Sequence, residues 1–402
     1  MTLEGRMPDT RMYGPSPFTP GYSKPPLVFG GHRAELNEIT EVFRTLDFGE
    51  NDSLLISGLR GSGKTSMLAR LQDAAREAGW IVLADDASKG LMERITESSI
   101  PREINRLTET TRARLSSIGI WKFSAGFEYV DRSRSVKPLL RDDLIALSTA
   151  LNSEAGILIT IDEVSSGKVR LRELSRFALE VAHAKSEGSN IMIAFAGIKV
   201  DLDELAKNDH TTFIRRSRDL DFRRLNPQET RHVLEETIRI AGRVIDPEAL
   251  ELLIRVTQGY PYLIQLAGDY AWRNTPGEET ISVEDAQIAH DKAISSVQRR
   301  VISRVYEDLS ERDRDFVNAM AVDEAGRSKM SDIADRMGTY GQYAQIYKTR
   351  LINSGYVQPD GRGYVAFSLP YLGDYIRSMA PQHPSSSGGT DGWSAYPPPP
   401  SV

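Results

Sequence analysis

Two short stretches carry residue types that could do chemistry together. Gly58, Gly61, Gly63, Lys64 and Thr65 fit G-x-x-x-x-G-K-[ST] without a mismatch. A chain that wraps a phosphate in its own N–H groups needs glycine, which accepts positive φ and puts no Cβ in the way. Arg60, Ser62 and Ser66 complete the loop as candidate nucleotide contacts. Lys64 would reach the β- and γ-phosphates, and the Thr65 hydroxyl would sit on Mg²⁺. The second stretch, residues 157–163, is an apolar run closing on Asp162 and Glu163. Downstream of such a loop, Asp162 would hold Mg²⁺ through its water shell, and Glu163 would orient or deprotonate an attacking water. Each stretch also has a plainer reading. The first could be a Gly-Ser turn, the second a pair of acids capping a strand. With glycine at about 7% of residues, a chance match to the loop pattern is on the order of one in a hundred. The strand before it and the helix after it lower that further, and the loop in turn decides the reading of the two acids.

These groups need elements to position them. Leu54, Leu55 and Ile56 read as a buried strand ahead of the loop. After it, Met67, Leu68, Leu71, Ala74, Ala75 and Ala78 recur at helical spacing, with Gly79 placed to end the helix. The N-terminus of that helix aims free N–H groups at the same anion. Further apolar strands are expected at 80–84, 157–163 and 191–196. Helices are expected at 89–117 (broken near Pro101), 139–151 and 171–184. Strands alternating with helices indicate a doubly wound parallel sheet, an α/β P-loop NTPase core over 25–222. Residues 118–130 suggest a small β insertion without an assignable role. Arg215 and Arg216 follow the last strand and could act on a γ-phosphate, in this chain or a neighbouring one. Their plainer reading is a solvated basic turn.

Asn226, Pro227 and Glu229 form a capping-box pattern that opens an all-helical lid over 223–308. Arg299, Arg300 and Arg304 lie along its last helix. Over 309–380, three helices and a hairpin turning at Asp360-Gly361 predict a winged helix-turn-helix. Residues 1–24 read as a disordered arm, and 381–402 as a disordered Pro/Ser/Gly-rich tail.

The 402 residues carry a net charge of −6, which gives no global attraction to nucleic acid or anionic lipid. The absence of cysteine excludes disulfides, thiolate metal sites and a cysteine nucleophile. The six histidines show no metal-ligand spacing, and no apolar run approaches a membrane span. With no apolar signal-peptide core at the start, a cytoplasmic location is expected.

In order, loop, Asp-Glu strand, helical lid and winged helix resemble AAA+ ATPases of the origin-recognition type and the STAND-like ATPases close to them. The likeness covers roughly residues 27–379. Phe29-Gly-Gly-His-Arg-Ala-Glu-Leu is similar to the F-x-G-R-x-x-E-L box that opens such domains, and Gly259-Tyr-Pro261 is similar to the STAND lid's G-x-P. The resemblance implies that ATP and Mg²⁺ bind between core and lid and that Pro261 packs close to the nucleotide. It also implies that hydrolysis shifts lid and winged helix, with ATP and ADP as ligands and self-association to be expected. Three departures stand out. His32 replaces an arginine, Ala196-Gly197 replaces a polar sensor at a strand end, and Tyr262 stands where a lid arginine is expected. Slow turnover follows, and a nucleotide-gated switch rather than a motor. Three functions remain open: a DNA-associated ATPase, a signalling or scaffold ATPase whose winged helix binds protein, and a pseudo-ATPase, against which Glu163 speaks. Between residues 311 and 377 nine cations meet nine acids, so weak DNA binding at most is expected there.

Overall fold

The structure is a computed structural model that describes residues 13–21, 24–107, 109, 111, 139–165, 167–207 and 209–379. The expected 118–130 insertion and the C-terminal tail lie outside the described residues, as do residues 1–12 of the arm. The core opens with α1 (Arg33–Thr45), β1 (Ser53–Gly58), α2 (Lys64–Glu77) and β2 (Ile81–Asp86). Then α3 (Leu91–Arg94) and α4 (Ile100–Arg106) flank a π turn, and α5 (Leu140–Leu151), β3 (Ile157–Val164) and α6 (Lys168–Ser186) follow. Last come β4 (Ile191–Gly197), α7 (Lys199–Lys207) and β5 (Arg218–Phe222). The five strands form one parallel sheet in the order β2-β3-β4-β1-β5. β4 is buried along its whole length, β1 along all but Gly58, and β3 along all but Asp162 and Glu163, as near-continuous apolar runs in a doubly covered parallel sheet should be.

β5 is the strand the sequence hid. Arg218-Asp-Leu-Asp-Phe222 reads as a charged segment, yet it pairs with β1 at the sheet edge. Leu220 and Phe222 face the core and the charged residues alternate outward, the period-2 pattern of an edge strand.

Past β5 the lid comprises α8 (Pro227–Ile240), α9 (Pro247–Thr257), α10 (Pro261–Asn274), α11 (Val283–Val297) and α12 (Ser303–Asp308). Two short strands, β6 (Val244–Ile245) and β7 (Thr280–Ile281), pair beside them. The capping box forms as expected: Glu229 N donates to Asn226 Oδ1 at 2.9 Å, and Asn226 N donates to Glu229 Oε2 at 2.9 Å. The C-terminal unit holds α13 (Glu311–Ala321), β8 (Arg327–Lys329), α14 (Met330–Arg336) and α15 (Gly341–Asn353). The chain then forms β9 (Val357–Pro359), β10 (Tyr364–Phe367) and α16 (Leu372–Met379). β9 and β10 make the hairpin, and β8 adds a third strand that sequence reading missed. Each of these three strands is at most four residues long.

One apolar cluster fills the core, and a second runs through lid and C-terminal unit together. The second also takes in Phe18, 3% exposed, from the segment expected to be disordered. Residues 13–21 are packed because α10 carries Gly268, whose missing Cβ leaves a slot for the Phe18 ring. Thr19 N donates to Gln265 Oε1 at 3.0 Å, and Tyr13 lies under the buried Arg243 guanidinium. An isolated aromatic in a polar stretch gives no periodic signal, so only its partner surface reveals it.

Candidate functional site

The C-terminal edge of the sheet opens into a cavity of about 770 Å³ between core and lid. β1 delivers the loop, and α2 starts at Lys64 with its N-terminal N–H groups facing that space. Gly61 adopts φ +75°, and a Cβ there would run into the Tyr260 hydroxyl, so both the turn and the approach of the lid require glycine. Arg60, Gly61, Ser62, Gly63, Lys64, Thr65 and Ser66 all line the cavity, as do Asp162, Glu163 and Pro261. Gly58 lies just behind, its carbonyl accepting from Lys64 Nζ at 3.0 Å. A second bond from Lys64 Nζ reaches the Leu59 carbonyl at 2.7 Å. Burial pushes the Lys64 ammonium down to about 8, opposed by the attraction of Asp162.

Thr65 Oγ1 donates to Asp162 Oδ2 at 2.7 Å, which joins the loop to β3 although β4 lies between their strands. A hydroxyl and a carboxylate are the hard oxygen donors that suit Mg²⁺, an ion commonly held by one or two carboxylates with substrate phosphates filling its shell. No larger metal-ligating cluster exists among the described residues. Glu163 has φ +53°, a left-handed conformation unusual for a residue with a Cβ. The register of β3 on β4 shifts between Ile161 and Val164. The resulting bulge re-aims the Glu163 side chain into the cavity. Its amide donates to Asp162 Oδ1 at 2.8 Å. The same bulge explains Gly197: a Cβ there would sit 3.0 Å from the Val164 carbonyl.

The lid meets the loop directly. Tyr260 Oη donates to the Arg60 carbonyl, and burial pushes the phenol pKa up, which keeps it a donor. Tyr262 N donates to the Gly61 carbonyl at 3.2 Å, and Pro261 occupies the first turn of α10. Gly259 is held against the Leu225 backbone at φ +70°, too close for any side chain. The C-terminal unit reaches the loop as well, since a Cβ on Gly355 would lie 3.3 Å from Leu59 Cγ. Arg224 Nε donates to the Ser368 carbonyl at 2.7 Å, and Tyr371 Oη donates to the Val256 carbonyl at 2.7 Å.

Arg215 and Arg216 are not brought to this cavity within the chain. Arg215 donates to the Ala206 and Lys207 carbonyls at 2.9 Å each. His32 stacks on Phe222 at 4.4 Å outside the cavity lining. Sequence reading missed Asp201, Tyr260 and the Thr19–Gly21 segment, all of which line the cavity. Asp201, three residues inside α7 at the end of β4, was the one findable from position alone.

A family model described as "Domain of unknown function (DUF8462)" matches residues 299–376. No curated protein matches the chain. Among solved structures, the Walker-type ATPase of Pyrococcus abyssi is similar at 15% identity, over 87% of this chain and 96% of its own, with a TM-score of 0.60. The Aeropyrum pernix ORC2 protein, in ADPNP–ADP complexes, is similar at 16% identity, over 89% and 96%, with a TM-score of 0.58. At these identities the likeness establishes the fold alone: a five-stranded parallel sheet flanked by helices and followed by a helical C-terminal region, arranged as in those two proteins.

Proposed function

We propose that this chain binds ATP with Mg²⁺ between core and lid, hydrolyses it slowly, and uses the nucleotide to set the position of its C-terminal unit. The observation that carries the reading is convergence: Lys64 and Thr65 of α2, Asp162 and Glu163 of β3, and Pro261 of α10 line one cavity. Similarity to a protein solved with ADPNP and ADP supports it. In this reading Lys64 exchanges its bonds to the Gly58 and Leu59 carbonyls for the β- and γ-phosphates. The loop N–H groups and the start of α2 wrap the remaining oxygens. Thr65 and Asp162 would hold Mg²⁺, which supplies neutralisation of the phosphate charge when bound. Glu163 orients a water in line with the γ-phosphorus and takes its proton, and ADP leaves with the bridging oxygen. β4 ends in Ala196 and Gly197, which offer no side-chain polar group to the γ-phosphate, so slow turnover follows.

Glu163→Gln tests the chemistry apart from binding. ATP affinity, by calorimetry, is expected to stay within a few-fold of wild type, while turnover falls by about 10² or more. Hydrolysis at the wild-type rate would remove Glu163 from the mechanism.

The switch reading is supported by the contacts that tie the C-terminal unit to loop and lid: Leu59 on Gly355, Arg224 on the Ser368 carbonyl, Tyr371 on the Val256 carbonyl. A DNA-reading winged helix has weaker support. Arg312, Arg327, Arg336, Arg350 and Arg377 are paired with Asp315, Asp360, Asp323, Asp313 and Asp374. Arg314 is bound to main-chain carbonyls. Engagement of these arginines favours a unit that packs on its own core or on a protein partner.

A further inference from the structure

Four consecutive carbonyls of the loop, Gly58 to Gly61, each accept a hydrogen bond, and their donors fall into two groups. Lys64 Nζ serves the first two, at 3.0 Å to Gly58 and 2.7 Å to Leu59. The lid serves the other two: Tyr260 Oη donates to the Arg60 carbonyl, and Tyr262 N donates to the Gly61 carbonyl at 3.2 Å. In the reading above Lys64 leaves its carbonyls for phosphate, so the lid's donors are the ones that remain on the loop.

Those two donors differ in kind. Tyr262 gives a main-chain N–H, which any residue but proline would supply. Tyr260 gives a side-chain hydroxyl, and a phenylalanine would fill the same space without the bond. Its ring is 2% exposed and belongs to the apolar cluster of lid and C-terminal unit. The start of α10 fixes its backbone: Tyr260 N donates to the Thr257 carbonyl at 2.9 Å, and Ile264 N donates to the Tyr260 carbonyl at 3.0 Å. Just before it, the Gly259 carbonyl accepts from Leu225 N at 2.8 Å. The hydroxyl is therefore a fixed point, and Gly61 fits the loop to it. A Cβ on Gly61 would run into the Tyr260 oxygen and lie 3.2 Å from Tyr262 Cβ.

A trans peptide keeps its C=O and N–H in one plane, pointing opposite ways. A donor that fixes the Arg60 carbonyl thus also fixes the Gly61 N–H. Loops that wrap phosphate do so with N–H groups, and dipoles already set in place bind without the cost of ordering them. We propose that Tyr260 is a positioning residue: its hydroxyl holds the Arg60–Gly61 peptide in the orientation that takes phosphate, so that the loop is ready only while the lid is seated on it. This rests on the nucleotide reading above and adds to it the means by which the lid governs affinity. Because the bond acts on the loop rather than on one phosphate, it serves diphosphate and triphosphate alike.

The test compares full-length wild type, Tyr260→Phe, Tyr371→Phe and Lys64→Ala by calorimetry with Mg-ADP and Mg-ATP, by turnover, and by hydrogen exchange without nucleotide. Tyr371→Phe removes a phenol-to-carbonyl bond away from the loop, the one to Val256. Tyr260→Phe is expected to weaken both nucleotides by the same factor, about three- to tenfold, the worth of one hydrogen bond. The KM for ATP should rise by a similar factor with kcat within about twofold, the mark of binding lost equally from ground and transition states. Exchange should quicken at the loop amides and stay unchanged in the sheet, where a general loosening would speed both. Tyr371→Phe should bind both nucleotides as wild type. Unchanged affinity in Tyr260→Phe would overturn the proposal. So would a loss confined to ATP or a fall in kcat alone, either of which moves the hydroxyl from the loop to the chemistry. An equal loss in Tyr371→Phe would also overturn it, as a general loosening of the lid. The parent reading fails differently: wild type would bind neither nucleotide, or Lys64→Ala would bind both as wild type does. The role of Tyr260 would then fall with it, even with loop exchange faster in Tyr260→Phe.

Discussion

Asp143 on α5 is 2% exposed, and neither of its carboxylate oxygens has a hydrogen-bond partner among the described residues. Burial, and secondarily the charge of Asp142, pushes it up from 3.8 to about 8. Between those values the folded chain holds a proton that the unfolded chain has released, so this carboxyl makes stability fall as pH rises through the window. Asp143→Asn keeps the shape and removes the titration. Relative to wild type, the variant is expected to gain little near pH 4 and at least ~1 kcal/mol near pH 8. Urea melts at the two pH values check this, and a difference independent of pH would refute it. Glu163 is one of seven non-glycine residues held in the left-handed region among the described residues, and it sits at a bulge and lines the cavity. Left-handed φ at a strand bulge, with a cost of order 1 kcal/mol, fits a residue whose side chain is aimed into a site.

Among the elements, the N-terminal segment departs furthest from its composition. If Phe18 packs into the Gly268 slot, Phe18→Ala should cost about 3 kcal/mol or more of unfolding free energy, the range for a buried phenylalanine. An exposed arm residue would give less than about 0.5 kcal/mol. Thermal or denaturant melts separate the two, and the smaller value would detach the segment from the lid. Because Thr19 and Gly21 also line the cavity, the same substitution is expected to weaken nucleotide binding. Elements with strong periodic patterns were legible: α9 and α10 begin where their prolines and apolar spacing place them, at Pro247 and Pro261. β5, β8 and α16 were not, since each is short and its register is set by the neighbour it pairs with or packs on.

For the whole molecule, the expectation concerns DNA. Of the nine cations between residues 311 and 377, five are ion-paired and Arg314 is bound to main-chain carbonyls, which leaves Lys329, Lys348 and Arg362 without an ion pair among the described residues. Three phosphate contacts give a shallow salt slope and low affinity at physiological ionic strength. Full-length protein loaded with ATP is therefore expected to bind a DNA duplex no tighter than micromolar at physiological salt, by fluorescence anisotropy. Sub-micromolar, sequence-dependent binding would promote the DNA-associated reading over a protein-binding one.

The loop, its following helix and the Asp162-Glu163 strand end were determined by the sequence itself, because each depends on local requirements. Glycine supplies positive φ, alternating periods select helix or strand, and charged ends mark the edge of a buried run. Gly58 to Thr65 could be read without knowing what surrounds them. Tertiary structure decided what depends on distance along the chain: that Thr65 meets Asp162 across an intervening strand, and that Tyr260 bonds to the Arg60 carbonyl. It also decided that a bulge turns Glu163 inward and that Phe18 finds Gly268. Those contacts join residues up to some 250 positions apart, and a side chain's burial or charge partner there is fixed by the packed surface opposite, which no local pattern encodes.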